Sequence, residues 1–217
     1  PWGAPLRVMH WVAALAILVL IVTGFYIGRP YFMTTGAPPQ YLMGYIRLIH
    51  YVAAGVFVMT GLVRVYWLFA GNQFERLPAL FPVRKRDWVN LVTQVKYYLM
   101  IHPERAPHYI GHNPLQQLSY TTTYVVSIVV MFTGFAMYGQ AAPGGFFYTI
   151  TQPLTLAVGG IQVVRLVHHL CVWWFIIFPI MHIYLVIRKE VTERGGGLSG
   201  IINGGHYIRA DKQYVDE

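Results

Sequence analysis

Nine histidines occur in the chain of 217 residues, and five of them lie inside long apolar runs, four at informative depths. His168 and His182 are fourteen residues apart in one run. On an α-helix that spacing is roughly 21 Å of rise, and it returns to within about 40° of the same face. His10 and His50 lie in two earlier runs. Imidazole is an axial ligand of haem iron, and the protein tunes the iron through such ligands. Four imidazoles at two depths suit two stacked, six-coordinate b-type haems. The competing reading is a polar group that hydrogen-bonds between membrane helices. His169, beside His168, points about 100° away.

The neighbours of these histidines form a second pattern. Arg7, Arg47 and Arg165 stand three residues before His10, His50 and His168, a spacing that shares a helix face. An arginine one turn from an axial ligand can hold a haem propionate through its planar fork; snorkelling to lipid headgroups is the alternative. Gly24 follows His10 by fourteen residues and Gly61 follows His50 by eleven, so each returns nearly to its histidine's face. There a missing side chain admits the edge of the other haem or simply close helix packing. Cys171 is the only cysteine, which excludes a disulfide framework, a covalent CxxCH haem site and a Cys-ligated cluster. No Ser or Cys nucleophile stands beside a His and an acid, and no Gly-rich phosphate loop occurs.

The elements that must carry these residues are four apolar spans, at about 8–28, 43–69, 115–138 and 161–187, each long enough to cross a bilayer core of about 30 Å. Composition agrees, because 56% of the residues are hydrophobic and only 11% charged, against about 25% charged in an average soluble domain. Disorder and nucleic-acid binding are excluded, since both need a polar chain or surface. No run reads as a cleavable signal peptide. The chain starts at Pro1 without a Met, so a short N-terminal tail is expected ahead of it. Sixteen Lys and Arg face eight Asp and Glu, and most of the positive charge lies in the segment 70–113 and after Ile187. By the positive-inside rule both termini and the long middle segment are then cytoplasmic. The first span begins inside and the second outside, so the depths pair His10 with His182 near the inner side and His50 with His168 near the outer side.

All eight acids fall in cytoplasmic segments and none in a span, which argues against an ion-coupled transporter with a carboxylate relay. Trp88, Leu91, Val92, Val95 and Leu99 recur at helical spacing with polar residues between them, and predict an amphipathic helix in the inner interface. His112-Asn113-Pro114 is a helix start, with Asn at the cap and Pro at the first helical position. The uncharged segment 139–160, with Phe146-Phe147-Tyr148, is expected to be a docking surface, a re-entrant loop or a lipid contact. The predicted class is an all-α membrane protein. It is a four-transmembrane-helix bundle with one interfacial amphipathic helix and both termini cytoplasmic, a single integral-membrane domain over residues 1–217. The set predicts an electron conduit.

At these residues the chain resembles the b-type cytochrome subunit of membrane-bound nickel–iron uptake hydrogenases. The resemblance covers nearly the whole chain. It rests on Ala4-Pro5-Leu6-Arg7-Val8-Met9-His10-Trp11, Met43-Gly44-Tyr45-Ile46-Arg47-Leu48-Ile49-His50, Gly111-His112-Asn113-Pro114-Leu115, Thr133-Gly134-Phe135-Ala136-Met137-Tyr138, and the His168…His182 span followed by Arg188 and Glu190. The cytochrome b subunit of respiratory formate dehydrogenase shares the four-helix, two-haem plan and is the alternative within this class. A haem-free membrane anchor or small-solute channel is the alternative outside it. The resemblance implies two haem b groups on His10, His50, His168 and His182. It also implies an iron–sulfur small subunit and a nickel–iron large subunit on the periplasmic face of the inner membrane, and a membrane quinone as electron acceptor. Arg165 departs from the family, where a His often stands at that place; the ligand assignment is intact, and propionate contacts or the haem potential are what this touches. Quinone reduction takes up protons, for which His112, Asn113, Glu104 and Glu190 are the candidates near the cytoplasmic surface. Asn113 has a sufficient role as a helix cap.

Overall fold

A computed structural model describes residues 2–31, 41–81, 85–99, 101, 108–109, 111–193 and 197–205. Glu104 lies outside them. The described residues form eight helices and no strand: α1 (Ala4–Gly28), α2 (Leu42–Ala70), α3 (Leu77–Leu80), α4 (Lys85–Tyr98), α5 (Pro114–Gly139), α6 (Phe146–Ala157), α7 (Ile161–Glu193) and α8 (Gly197–Asn203). Helices α1, α2, α5 and α7 are long and apolar enough to cross a membrane, and they contain the four spans expected from sequence. Their exposed residues are large and apolar, Leu15, Leu62, Ile128 and Ile180 among them, which suits a surface solvated by lipid rather than water. Pro179 lies inside α7 and withdraws one N–H from its hydrogen-bond ladder.

The contacts divide the chain into two compact units. One takes Pro1–Arg7, Tyr66–Ile128 and Phe178–Glu217; the other takes Val8–Val65 and Val129–Ile177.

In the second unit, segments of α1, α2, α5 and α7 are joined by aromatic contacts at the edge-to-face geometry that ring quadrupoles favour. Phe25 meets Trp173, Tyr51 meets Tyr138, and Phe57 meets Phe175, with centroids 6.2, 5.1 and 6.1 Å apart. Helix α6 occupies the uncharged segment that sequence periodicity left unassigned. It folds back on the end of α5, where Phe147 stacks on Phe135 at 5.0 Å. Thr151 and Thr155 are buried, while Phe146, Ile150 and Leu154 are exposed one turn apart. Gly159 and Gly160, with φ of +105° and +93°, make the left-handed turn into α7 that an L side chain resists.

In the first unit, α4 is turned the same way. Asp87 and Gln94 are buried, and Trp88, Val92, Val95 and Leu99 face outward. The expected amphipathic helix is therefore present, with its polar side on the protein. Arg188 of α7 fastens the end of α4. Its guanidinium donates to the carbonyls of Tyr98 and Tyr97 at 3.1 and 3.3 Å and lies 5.3 Å from each ring centre. A cation at a helix C-terminus also complements the dipole. Helix α8 is held at both ends by the same logic. Glu190 accepts from the N–H of Leu198 at 3.2 Å, and Arg7 donates to the carbonyl of Ile202.

Candidate functional site

His50 on α2 and His168 on α7 both lie in the second unit, each partly buried and within electrostatic range of the other. They are held in the same way. Thr23 of α1 places its hydroxyl 2.8 Å from His50 Nδ1. Thr133 of α5 places its hydroxyl 3.0 Å from His168 Nδ1. Each hydroxyl also donates back to its own helix: Thr23 to Val19 O at 2.7 Å and Thr133 to Val129 O at 2.8 Å. A carbonyl only accepts, so the hydroxyl proton lies on that bond, and the threonine oxygen is left to accept from Nδ1–H. In both rings Nε2 then carries the lone pair.

A glycine follows each threonine. A Cβ at Gly24 would stand 3.4 Å from His50 Cε1, and a Cβ at Gly134 would stand 3.4 Å from His168 Cε1. Each ring therefore lies against backbone where any longer side chain would intrude. Two neutral imidazoles with oriented rings and free Nε2 lone pairs are the donor set of a six-coordinate haem. A hydrogen bond from the outer nitrogen of a metal-ligating His is the usual second support. The residues fit the group.

The other candidates fall as follows. Arg47 and Arg165 are exposed; Arg165 reaches the side chain of Gln162 at 3.4 Å. Among the described residues, Gly61 has no atom beyond its own helix backbone within 4 Å of its would-be Cβ. His169 Nδ1 donates to the carbonyl of Arg165 at 2.7 Å, and its Nε2 is 3.3 Å from a Cβ built on Gly28. His10 is partly buried with the Trp11 ring edge-on at 5.1 Å.

His182 belongs to the first unit, in an aromatic cluster. Phe178 stacks on it at 5.6 Å, one turn away, and Tyr120 of α5 is 6.2 Å from it. Tyr120 meets His112 at 5.0 Å, and His112 meets Trp2 at 4.8 Å. His112 and His182 are thus linked through one tyrosine ring. Asn113 is the cap of α5 in a reciprocal box: its side chain accepts from Gln116 N at 2.9 Å, and Gln116 accepts from Asn113 N at 3.0 Å. Its amide also reaches Tyr98 OH at 3.2 Å.

The pattern of the family described as prokaryotic cytochrome b561 matches residues 1–204. The chain belongs to that family. Relatives named "Probable Ni/Fe-hydrogenase B-type cytochrome subunit" come from Azotobacter vinelandii and Cupriavidus necator. The first is 41% identical over 97% of this chain and 89% of its own length; the second is 39% identical over 94% and 84%. An Escherichia coli relative, the "Probable Ni/Fe-hydrogenase 1 B-type cytochrome subunit", is 34% identical over 93% and 87%.

Within this cytochrome b561 chain, sequence reasoning missed the two threonines. A signal was present, because Thr23-Gly24-Phe25 on α1 and Thr133-Gly134-Phe135 on α5 are the same tripeptide. It also missed Glu75, whose carboxylate is almost wholly buried. Glu75 accepts from Gly3 N at 2.6 Å and from Trp67 Nε1 at 2.7 Å, which ties the start of α1 to the end of α2.

Proposed function

We propose that this cytochrome is the haem-b electron-transfer subunit and membrane anchor of a nickel–iron hydrogenase. Electrons arrive from an iron–sulfur small subunit, whose nickel–iron large subunit oxidises hydrogen on the periplasmic side of the inner membrane. They leave to a membrane quinone near the cytoplasmic face, and hydrogen itself is not turned over by this chain. The observation that carries the reading is the matched pair His50 and His168, each with Nδ1 tied to a threonine and Nε2 left as a ligand.

His50 and His168 would hold an outer haem b. His10 and His182 would hold an inner one, a pairing that rests on their depths in the spans. Haem b supplies one-electron chemistry when bound. The chain supplies the rest: imidazole nitrogens fixed in orientation, Arg7, Arg47 and Arg165 as candidate propionate partners, and Gly24 and Gly61 as room at the helix faces. Arg7 already donates to the α8 carbonyl of Ile202 and Arg165 to the side chain of Gln162, so each has one hydrogen-bonding nitrogen fewer to offer. Quinone reduction takes up protons, and His112, one tyrosine ring from His182, is placed to pass one from the cytoplasmic side. Asn113 orients the start of α5 beside it.

A dithionite-reduced minus oxidised spectrum of the purified chain tests this directly. The expected result is a b-type α-band and a pyridine haemochrome of two haems per chain. H50A and H168A should each lose the same one haem. An absent α-band would end the reading, and both haems surviving in H50A would end the ligand assignment.

A further inference from the structure

We infer that Thr23 and Thr133 are positioning residues that set the orientation and potential of one haem through its two axial histidines. The inference rests on the proposed ligation by His50 and His168.

The argument begins from the repetition. Two different helices, α1 and α5, present the same Thr-Gly-Phe tripeptide to two different histidines on α2 and α7. In each case the threonine oxygen bonds Nδ1, at 2.8 and 3.0 Å, and the next residue is the glycine on which Cε1 of the same ring rests, at 3.4 Å from an added Cβ. The two contacts act on adjacent atoms of the ring. One fixes which nitrogen carries the proton; the other fixes how close the ring plane lies to the neighbouring helix. A threonine serving only its own helix would need no partner across the bundle. Thr121, Thr122 and Thr123 on α5 also donate to carbonyls four residues back, so back-bonding does not distinguish Thr133. The imidazole contact does.

The chemical consequence has a sign. A hydroxyl accepting from Nδ1–H raises the basicity of Nε2. A more basic axial ligand stabilises the ferric over the ferrous iron, so the potential falls. Removing the acceptor reverses this. Because His50 and His168 are treated alike, both threonines act on the same haem, and the other haem is untouched.

The test is optical potentiometric titration of the full complex with T23V, T133V and the double variant, alongside T23S and T133S. Valine keeps the volume and removes the acceptor; serine keeps the acceptor. The expected result is that one of the two haem waves moves to higher potential in each valine variant and further in the double variant. The second wave stays in place, and the serine variants track the wild type. The low-spin ferric electron paramagnetic resonance signal of that same haem should also shift, because the ring is freed to turn. Both waves unmoved, with both haems retained, would overturn the inference. So would movement of different waves by T23V and T133V. If T23V or T133V loses a haem outright, the serine variants decide: loss in them too makes the residues merely structural, and retention with an unmoved wave upholds the acceptor role. Failure of the ligand reading looks different, since H50A or H168A would then keep both haems.

Discussion

Gly24 offers a sharp test of how closely the His50 ring lies on α1. A Cβ there would be 3.4 Å from Cε1 and 3.9 Å from Nδ1. Carbon atoms rest at about 3.5–4.0 Å, so alanine touches the ring without displacing it. Valine adds carbons about 1.5 Å further out, which the space between α1 and the ring does not hold. The ring cannot simply retreat, because Thr23, one residue earlier on the same helix, holds its Nδ1 at 2.8 Å. Overpacking of this kind costs about 1–3 kcal/mol, which is roughly a five- to 150-fold weaker retention of the haem proposed on His50. Incubation with a competing haem acceptor, followed by pyridine haemochrome of the recovered chain, reads this. G24A should match the wild type, and G24V should keep one haem of two. At Gly61 no atom of the described residues beyond its own helix backbone lies within 4 Å, so a haem lost in G61V would be displaced by direct contact with the added side chain. Undiminished retention of both haems in G24V would refute the close approach, and with it the account of the Thr-Gly pairs.

Replacing Arg188 with Ala strips two donors from the end of α4. Hydrogen bonds to a charged group contribute about 1.5–3 kcal/mol, so amide exchange in residues 94–99 should quicken about tenfold or more, and an unchanged rate would show that α4 is held by packing alone. N113A should lose about 0.5–2 kcal/mol of stability through the α5 cap, while N113D restores it and retains hydrogen-to-quinone turnover; a stable but inactive N113D would move Asn113 from cap to quinone contact. H112A should keep both haems and lose quinone turnover, and full turnover in it would remove His112 from the proton route.

The four spans were readable because lipid demands about 20 apolar residues whatever the tertiary contacts, and the helices extend beyond the expected bounds by six residues at most at either end. The histidines were readable because histidines and arginines are the only strongly ionisable groups in the spans. The threonines were not, because a Thr in a membrane helix usually bonds its own carbonyl, and its service to a second helix appears only when the helices are packed. Helix α6 was missed for a different reason. Its apolar residues lie on the outward side, at Phe146, Ile150 and Leu154, and its buried residues are threonines, which inverts the pattern that marks a soluble amphipathic helix. Helix α4 shows the same inversion and was found because its apolar residues recur at helical spacing with polar residues between them.

Charge gives the last test. The unit formed by Val8–Val65 and Val129–Ile177 contains Arg29, Arg47, Arg64 and Arg165 and no Asp or Glu. The other unit holds acids of its own, Glu75, Asp87 and Glu190 among them. Cations at membrane depth are costly without a counter-charge, and the proposed counter-charges of Arg47 and Arg165 are haem propionates, with lipid phosphates as the competing source. The two sources differ in what a glutamine replacement does to the haem. A guanidinium beside a propionate favours the ferrous state, the more negative of the two, so R47Q and R165Q should lower the potential of the haem held by His50 and His168. That shift is opposite in sign to the one expected from T23V and T133V at the same haem. It should persist in vesicles of purely zwitterionic lipid. A potential left unchanged in both variants, with only the preference for anionic lipid reduced, would assign these arginines to headgroups. The compensation of an R165Q,T133V pair, bringing the wave back toward its wild-type position, would place both effects on one iron.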